Sequence, residues 1–245
     1  MKKTLFSLFF VTFAFLNSKS QMHFISADIL RQTYLIQTDI QQGTCFLIEA
    51  NNQEYLVTAK HLFRLTLQNG DSTQIIIWQE NRSRNLNVKY YVHSDSTLDI
   101  AVLKLGESIK VMTPFSIGGD MILSQDIYFL GFPNFNNIQF STSGTIGILP
   151  LVKKGIISGW NKNNSYTLFF LDGHNNPGFS GGPAVGIDNT TKKPVIFGVL
   201  SGYYYETKPV KNQHEQDELT HIQENSGIIK CFPTEMVKHI ITSIR

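Results

Sequence analysis

Three side chains in this 245-residue sequence have the types that nucleophilic catalysis requires: His61, Asp99 and Ser180. A serine hydroxyl attacks a carbonyl carbon only when a neighbouring base removes its proton. An imidazole, with a usual pKa of about 6.5, can be that base near neutral pH, and a carboxylate beside it fixes its tautomer. We therefore predict Ser180 as the nucleophile, His61 as the general base and Asp99 as the residue that orients the base.

The local sequence around each of these residues agrees with this prediction. Ser180 lies in a glycine-rich segment, residues 176–183, whose glycines permit unusual backbone angles and close approach of the chain to a substrate. His61 follows the strand-like residues 55–57, and Asp99 precedes an apolar run. Each residue alone also has an ordinary interpretation, as a turn serine, a loop histidine or a turn aspartate. The three together favour catalysis.

The order of the three residues along the chain separates two enzyme architectures. Residues 178–182 match the Gly-x-Ser-x-Gly pattern of α/β-hydrolases, in which the acid and the histidine follow the serine. In this sequence both precede it, and Pro183 lies where the helix of an α/β-hydrolase should begin. The order His, Asp, Ser is that of chymotrypsin-fold enzymes.

Short strands must position these residues, because apolar, β-branched and aromatic runs alternate with turn residues along the chain. The predicted strands are residues 54–58, 73–78, 88–92, 100–105, 127–131, 145–152, 166–171, 194–203 and 227–232. This pattern predicts an all-β barrel or sandwich. A helix is predicted only after Pro233, which suits a first turn. Its apolar face comprises Met236, Val237, Ile240, Ile241 and Ile244.

Residues 206–226 form a polar segment between two predicted strands, and we predict a solvated surface loop there. Its acidic and histidine side chains lack the tight spacing of metal ligands. They are His214, Glu215, Asp217, Glu218 and His221. We predict neither a metal site nor a cofactor.

The first 20 residues have the features of a secretory signal peptide. Lys2 and Lys3 give a basic start, residues 4–16 form an apolar run, and residues 17–20 supply small side chains before a cleavage point. The apolar run is shorter than the ~20 residues that cross a bilayer. We therefore predict export without a stable membrane anchor, and a secreted or periplasmic location.

The charge of the remaining chain gives no sign of a nucleic-acid partner. The whole sequence has a formal net charge of +2, but Lys2, Lys3 and Lys19 belong to the predicted signal peptide. Without them 18 basic side chains face 19 acidic ones, a net charge of −1. A near-neutral chain without Lys/Arg clusters lacks the electrostatic pattern of a nucleic-acid-binding protein.

Around these residues the sequence resembles the trypsin-like serine peptidases, and the HtrA-type bacterial branch in particular. The resemblance runs from about Gly43 to the C-terminus. The segments that carry it are residues 43–48, Gly131-Phe132-Pro133, Ser141-Thr142-Ser143-Gly144, residues 172–183 and residues 227–244. The resemblance implies a polypeptide substrate and an all-β chymotrypsin fold. That fold has two antiparallel six-stranded β-barrels and a C-terminal α-helix, with the site between the barrels.

The resemblance also implies domain bounds and further site residues. The signal peptide would occupy residues 1–20, the barrel carrying His61 and Asp99 residues 21–115, the barrel carrying Ser180 residues 116–232, and the helix residues 233–245. The backbone N–H groups of Gly178 and Ser180 would hold the oxyanion of the reaction. The residues implied to line the substrate pocket are His174, Asn175, Ser201, Gly202 and Gly227.

The sequence departs from the family pattern at several positions. Phe179 stands where digestive enzymes carry an aspartate that pairs with a freshly cut N-terminus, so we expect no propeptide switch of that type. No acidic residue lies six positions before Ser180, which favours cleavage after uncharged side chains. No PDZ-like module is expected after the closing helix. Cys45 occupies a position that is usually glycine, and we predict that Cys45 and Cys231, on different barrels, are not joined.

Two other functions fit the same residues. A peptidase fold that has lost turnover could serve as a binding protein, although the triad and the glycine-rich segment are intact in this sequence. An esterase could use the same triad. Hydrolysis of peptide and ester substrates by the purified protein separates these functions.

The signal-peptide prediction is tested by N-terminal sequencing of exported protein. Because residues 1–20 have the composition of a cleaved leader, we expect the mature chain to begin close to Gln21. Recovery of an intact Met1 from cytosolic protein would contradict the prediction.

Overall fold

The computed structural model describes residues 25–79, 82–109, 115–133, 140–142, 145–162, 165–211 and 217–244. The predicted signal peptide, residues 1–20, lies outside these residues. Strands dominate the described chain, and most of them close into two six-stranded antiparallel barrels. The all-β, two-barrel fold that the sequence predicts is confirmed.

The first barrel is built from the first six strands. They are β1 (Thr33–Gln37), β2 (Gln42–Ala50), β3 (Gln53–Thr58), β4 (Ser72–Gln79), β5 (Arg82–Val92) and β6 (Ala101–Leu105). Their order around the barrel is β1-β2-β3-β6-β5-β4, and β4 pairs with β1 to close it. A single turn of 3-10 helix, Lys60–Leu62, follows β3.

The second barrel is built from later strands in a comparable arrangement. They are β7 (Asp126–Gly131), β10 (Leu151–Lys162), β11 (Thr167–Asp172), β12 (Pro183–Ile187), β13 (Pro194–Lys211) and β14 (Asp217–Pro233). Their order is β10-β11-β14-β13-β12-β7, and β7 pairs with β10 to close it. Two short strands, β8 (Phe140–Thr142) and β9 (Thr145–Gly147), pair with each other in a separate sheet.

Apolar side chains fill each barrel and also the space between the barrels. One buried cluster, which includes Leu56 and Leu103, fills the first barrel, and another, which includes Phe129 and Phe179, fills the second. A third joins Val57 of the first barrel to Val185 of the second and to the C-terminal helix. Burial of apolar area is the main stabilising contribution in folding. The third cluster therefore fixes one barrel against the other.

The C-terminal helix α2 spans Glu235–Ser243 and confirms the predicted apolar face. The prediction that Pro233 lies in its first turn is wrong, because Pro233 is the last residue of β14 and Thr234 is the N-cap. Four of the five predicted side chains are buried and the fifth, Ile244, is partly buried against the inter-barrel cluster. The buried four are Met236, Val237, Ile240 and Ile241. A short helix that the sequence did not predict, α1 (Ala27–Arg31), precedes β1, and Ser26 caps its N-terminus.

The prediction of a surface loop at residues 206–226 is wrong. β13 and β14 continue past the barrel as a long β-hairpin, in which Glu206 pairs with Glu224 and Pro209 pairs with His221. This hairpin lies outside the core, because residues 204–209 on β13 and 220–224 on β14 are exposed. A strand exposed on both faces has no apolar alternation, so the periodicity that reveals other strands is missing here.

The prediction of one strand over residues 145–152 is also wrong, because these residues belong to two separate strands. β9 ends at Gly147 and β10 begins at Leu151, after Pro150, which has no N–H to give to a ladder. Ser141 and Thr142 lie in β8, outside the barrels. The strand that follows β7 in the barrel is β10.

The two cysteines are free and buried, as the sequence predicts. Cys45 belongs to the apolar cluster inside the first barrel and Cys231 to that inside the second. A β-carbon added at Gly198 would lie only 2.1 Å from the sulfur of Cys231, so Cys231 fills space that this glycine leaves. Burial raises the pKa of both thiols, which keeps them protonated and unreactive.

Candidate active site

His61 and Asp99 meet at the end of the first barrel. His61 lies on the 3-10 turn that follows β3, and Asp99 lies just before β6, the strand paired with β3. The backbone N–H of His61 donates to Oδ1 of Asp99 at 2.9 Å, and ring Nδ1 lies 2.7 Å from Oδ2. An ionised carboxylate can only accept, so Nδ1 carries the proton. Nε2 of the neutral ring is then free to act as a base.

Asp99 is the more buried member of this pair. Its side chain is 17% exposed, against 44% for His61. Burial alone would raise the pKa of Asp99, but hydrogen bonds from His61 and Ser201 outweigh it and hold the pKa below its usual value. Asp99 therefore stays ionised at neutral pH and keeps the His61 ring in one tautomer.

Ser201 connects the nucleophile to this pair. Its hydroxyl donates to Oδ2 of Asp99 at 2.5 Å, and its carbonyl oxygen accepts the hydroxyl of Ser180 at 2.7 Å. The structure thus brings His61, Asp99 and Ser180 to one place at the junction of the barrels. The Ser180 hydroxyl donates to Ser201, and within the described chain no residue is hydrogen-bonded to Nε2 of His61.

Ser180 lies on the nucleophile loop, residues 173–182, which connects β11 to β12. Gly178 and Gly181 have φ values of +102° and +84°, a region that favours glycine. A β-carbon at Gly181 would lie 2.2 Å from both the carbonyl oxygen of Thr44 and the hydroxyl oxygen of Thr58. Among the described hydrogen bonds, none uses the N–H of Gly178 or Ser180. These two donors are free to bind an oxyanion.

Thr44 of the first barrel holds the nucleophile loop of the second, a role that the sequence analysis missed. Its hydroxyl donates to the carbonyl oxygen of Gly178 at 2.7 Å and accepts the N–H of Phe132 at 3.0 Å. Its N–H donates to the carbonyl oxygen of Ser180 at 2.8 Å. Thr44 is fully buried. The only signal in the sequence is a hydroxyl residue after Gly43 in the strand before His61.

The five residues predicted to line the substrate pocket fall into two groups in the structure. The N–H of Gly173 donates to the carbonyl of Gly227 at 2.9 Å, and Asn225 donates to the carbonyl of Asn175 at 2.7 Å. These bonds bring the segment of His174 and Asn175 beside Gly227. The side chain of Asn175 is buried, whereas His174 is exposed.

The other two predicted pocket residues lie on β13. Ser201 touches Asp99 and Ser180, so it belongs to the triad network rather than to a pocket wall alone. Gly202 follows it, and a β-carbon there would meet no atom within 4 Å. Open space therefore lies above this part of the strand, next to the nucleophile.

The described residues contain no group of three His, Cys, Asp or Glu side chains that could hold a metal ion. His214 and Glu215, which the sequence analysis weighed as ligands, lie outside the described chain. In the part that the structure covers, no helix is long and apolar enough to cross a membrane.

A family model identifies the chain. The model for the trypsin-like peptidase domain matches residues 43–192, which is more than half of the sequence. The chain belongs to the trypsin-like peptidase family. The match begins at the strand of Thr44 and includes His61, Asp99 and Ser180, and the family and fold are those of a serine protease. No curated protein matches the chain significantly.

Solved structures agree with this family. The HtrA-type protease AlgW, with a tripeptide, matches with a TM-score of 0.56 at 20% identity over 88% of this chain. This chain spans 60% of the length of AlgW. The Rv3671c protease in an inactive form matches with a TM-score of 0.52 at 14% identity, over 88% of this chain and 90% of its own. A serine-to-alanine mutant of Rv3671c from M. tuberculosis H37Rv, also in an inactive form, matches with a TM-score of 0.52 at 15% sequence identity. The match covers 87% of this chain and 86% of the mutant's chain. These likenesses establish the fold.

Thr44→Val tests the contact between Thr44 and the nucleophile loop, because valine keeps the shape and removes the hydroxyl. We expect kcat for a peptide substrate to fall about 10²-fold, the size of effect seen when an oxyanion donor is lost or displaced. The free energy of unfolding should fall by about 1–3 kcal/mol, since the Phe132 N–H loses its acceptor. Steady-state kinetics and urea unfolding measure the two effects.

Thr58→Val is the matched control for T44V. The buried Thr58 hydroxyl donates to the carbonyl of Thr44 at 2.6 Å, so T58V also loses a buried hydrogen bond at the barrel junction. We expect a similar loss of stability with a much smaller loss of kcat. Equal losses of kcat in both variants would show that the Thr44 hydroxyl has no specific effect on the loop.

Proposed function

We propose that this protein is an exported serine endopeptidase that uses His61, Asp99 and Ser180 as its triad. One observation carries the proposal. Ser201 accepts the Ser180 hydroxyl and donates to Asp99, which in turn orients His61, so the nucleophile, the acid and the base share one hydrogen-bonded network. A glycine turn beside the nucleophile offers two unused N–H donors. This combination matches what acyl transfer requires.

The acylation step begins when Ser180 turns its hydroxyl from the Ser201 carbonyl to Nε2 of His61. Nε2 takes the proton as Oγ attacks the carbonyl carbon of the peptide bond. The negative charge that develops on the carbonyl oxygen is held by the N–H groups of Gly178 and Ser180. The imidazolium of His61, stabilised by Asp99, then gives its proton to the leaving amine, and the acyl group stays on Ser180.

The deacylation step reverses these roles with water as the nucleophile. His61 takes a proton from water, and the hydroxide oxygen attacks the ester carbon of the acylated Ser180. The same two N–H groups hold the second oxyanion. Collapse releases the carboxylic acid, and His61 returns the proton to the Ser180 oxygen. No cofactor takes part in either step.

We also propose that the enzyme prefers uncharged side chains before the cleaved bond. His174 stands six positions before Ser180, where cleavage after Arg or Lys would require an acidic residue. The described charged group that is hydrogen-bonded to His174 is a cation, Lys153, so this contact supplies no acidic counter-charge for a basic substrate side chain.

The predicted signal peptide supports a location outside the cytoplasm, either secreted or periplasmic. The argument rests on the composition of residues 1–20. The natural partner is then a polypeptide of that compartment.

Covalent labelling tests the nucleophile directly. A fluorophosphonate should modify Ser180 of the folded protein, and Ser180→Ala should abolish labelling and lower peptide hydrolysis to a small residual rate, because the attacking hydroxyl is lost. Mass mapping of the labelled peptide gives the site. An adduct on a different residue, or peptide hydrolysis by S180A close to the wild-type rate, would contradict the proposal. Turnover of esters with no turnover of any peptide in a library would favour an esterase.

The pH dependence of kcat/KM tests the assigned base. Activity should rise with pH through one acid limb as the general base loses its proton, and level off at mildly alkaline pH. The pKa of Asp99 lies below its usual value, so Asp99 stays ionised throughout this limb and adds no step of its own. Initial rates with one peptide across this range measure the profile. An optimum near pH 4 would point to different chemistry.

A further inference from the structure

Lys153, on the second barrel, reaches from β10 to the nucleophile loop. Its ammonium donates to Oδ1 of Asn176 at 2.8 Å and to the carbonyl oxygen of His174. The same nitrogen lies 5.3 Å from the ring centre of Phe179, the residue immediately before the nucleophile. One side chain thus touches the loop at three positions ahead of Ser180.

The part of the loop that Lys153 touches has no regular secondary structure of its own. Residues 173–180 contain only turns and bends. On its other sides, Asn225 donates to the carbonyl of Asn175, and Thr44 donates to the carbonyl of Gly178. Lys153 is the one charged side chain hydrogen-bonded to residues 173–180 in the described chain. Such a loop keeps one conformation only if contacts from its surroundings define it.

The surroundings of Lys153 are those of a structural cation. The side chain is half-buried, and burial lowers the pKa of its ammonium. Its described partners are neutral oxygens and an aromatic ring rather than a carboxylate. Phe179 is fully buried, and on its other side its ring meets the edge of Phe129, with 5.7 Å between ring centres. A cation over the face of a desolvated ring is attracted to it.

We infer that Lys153 is a positioning residue for the oxyanion site. Its ammonium binds oxygens of His174 and Asn176 and lies over the ring of Phe179. These contacts hold the loop before and after Gly178. The N–H groups of Gly178 and Ser180 then point in the directions that a developing oxyanion needs. This inference rests on the proposed function. It adds a residue that touches neither the substrate nor the triad.

Lys153→Met removes the ammonium and keeps the aliphatic chain, and Lys154→Met is its matched control. Lys154 is the next residue of β10, is exposed, and pairs with Asp126 at 2.9 Å, away from the nucleophile loop. We expect K153M to lower kcat and the rate constant of fluorophosphonate labelling by about 10- to 100-fold, since small displacements of an oxyanion site cost rates of this order. KM should stay within about twofold, because ground-state binding is not altered.

Lys153→Arg should restore most of the lost rate, because a guanidinium can also donate to both oxygens and lie over the ring. Hydrogen exchange of the amides of residues 174–182 gives a measurement that does not depend on activity. Exchange there should be faster in K153M than in the wild type or in K154M. If K153M does not fold, Lys153→Gln is compared instead, and the same direction of change is expected.

Three results would overturn the inference. They are a wild-type labelling rate in K153M, an equal loss of rate in K154M, or unchanged hydrogen exchange in the loop. The failure of the proposed function would look different. In that case the wild type itself would neither cleave peptides nor label at Ser180, while the exchange comparison would still report on Lys153.

Discussion

The contact between β2 of the first barrel and the nucleophile loop of the second sets the geometry of the whole site. Thr44 binds the carbonyl oxygens of both Gly178 and Ser180, so its hydrogen bonds hold the backbone beside the nucleophile at two points. At Gly181 no side chain fits, because a β-carbon would lie 2.2 Å from atoms of Thr44 and Thr58. Since the barrels meet this closely, a shift of one against the other would displace the nucleophile, and the apolar cluster between them resists that shift.

The chemistry is divided between the barrels, and Ser201 connects the two parts. The proposed base and its acid lie on the first barrel, where hydrogen bonds from His61 and Ser201 outweigh the effect of burial and keep Asp99 ionised. The proposed nucleophile and oxyanion donors lie on the second barrel. Ser201, on β13, binds one group from each, Asp99 and Ser180. We propose that the hydrogen bond from the Ser180 hydroxyl to the Ser201 carbonyl is present before the reaction. Rotation of the Ser180 side chain towards Nε2 of His61 then starts the reaction.

The sequence predicted well the features that come from burial and from residue type, and less well those that depend on long-range contacts. Barrel strands with an apolar face, the closing helix and the residues brought together at the site follow from periodicity, order and resemblance. The hairpin of β13 and β14 was missed because exposed strands have no apolar alternation. Thr44 and Lys153 were missed because each acts on residues distant in the chain, and Lys153 lies beside Lys154, which has the same type and a different environment. Such roles come from the packing of the barrels and have no local pattern.

A double-mutant comparison tests most directly whether His61 and Ser180 act as one unit. The measurement is kcat/KM of His61→Ala, Ser180→Ala and the double variant on one peptide substrate, in enzyme free of wild-type contamination. When two residues act in the same step, the losses of kcat/KM caused by substituting them are strongly non-additive. Once one residue is lost, the other no longer contributes to that step. We predict that the double variant retains the same residual activity as S180A. Losses that multiply, so that the double variant is slower than S180A by the full factor of H61A, would contradict the shared mechanism.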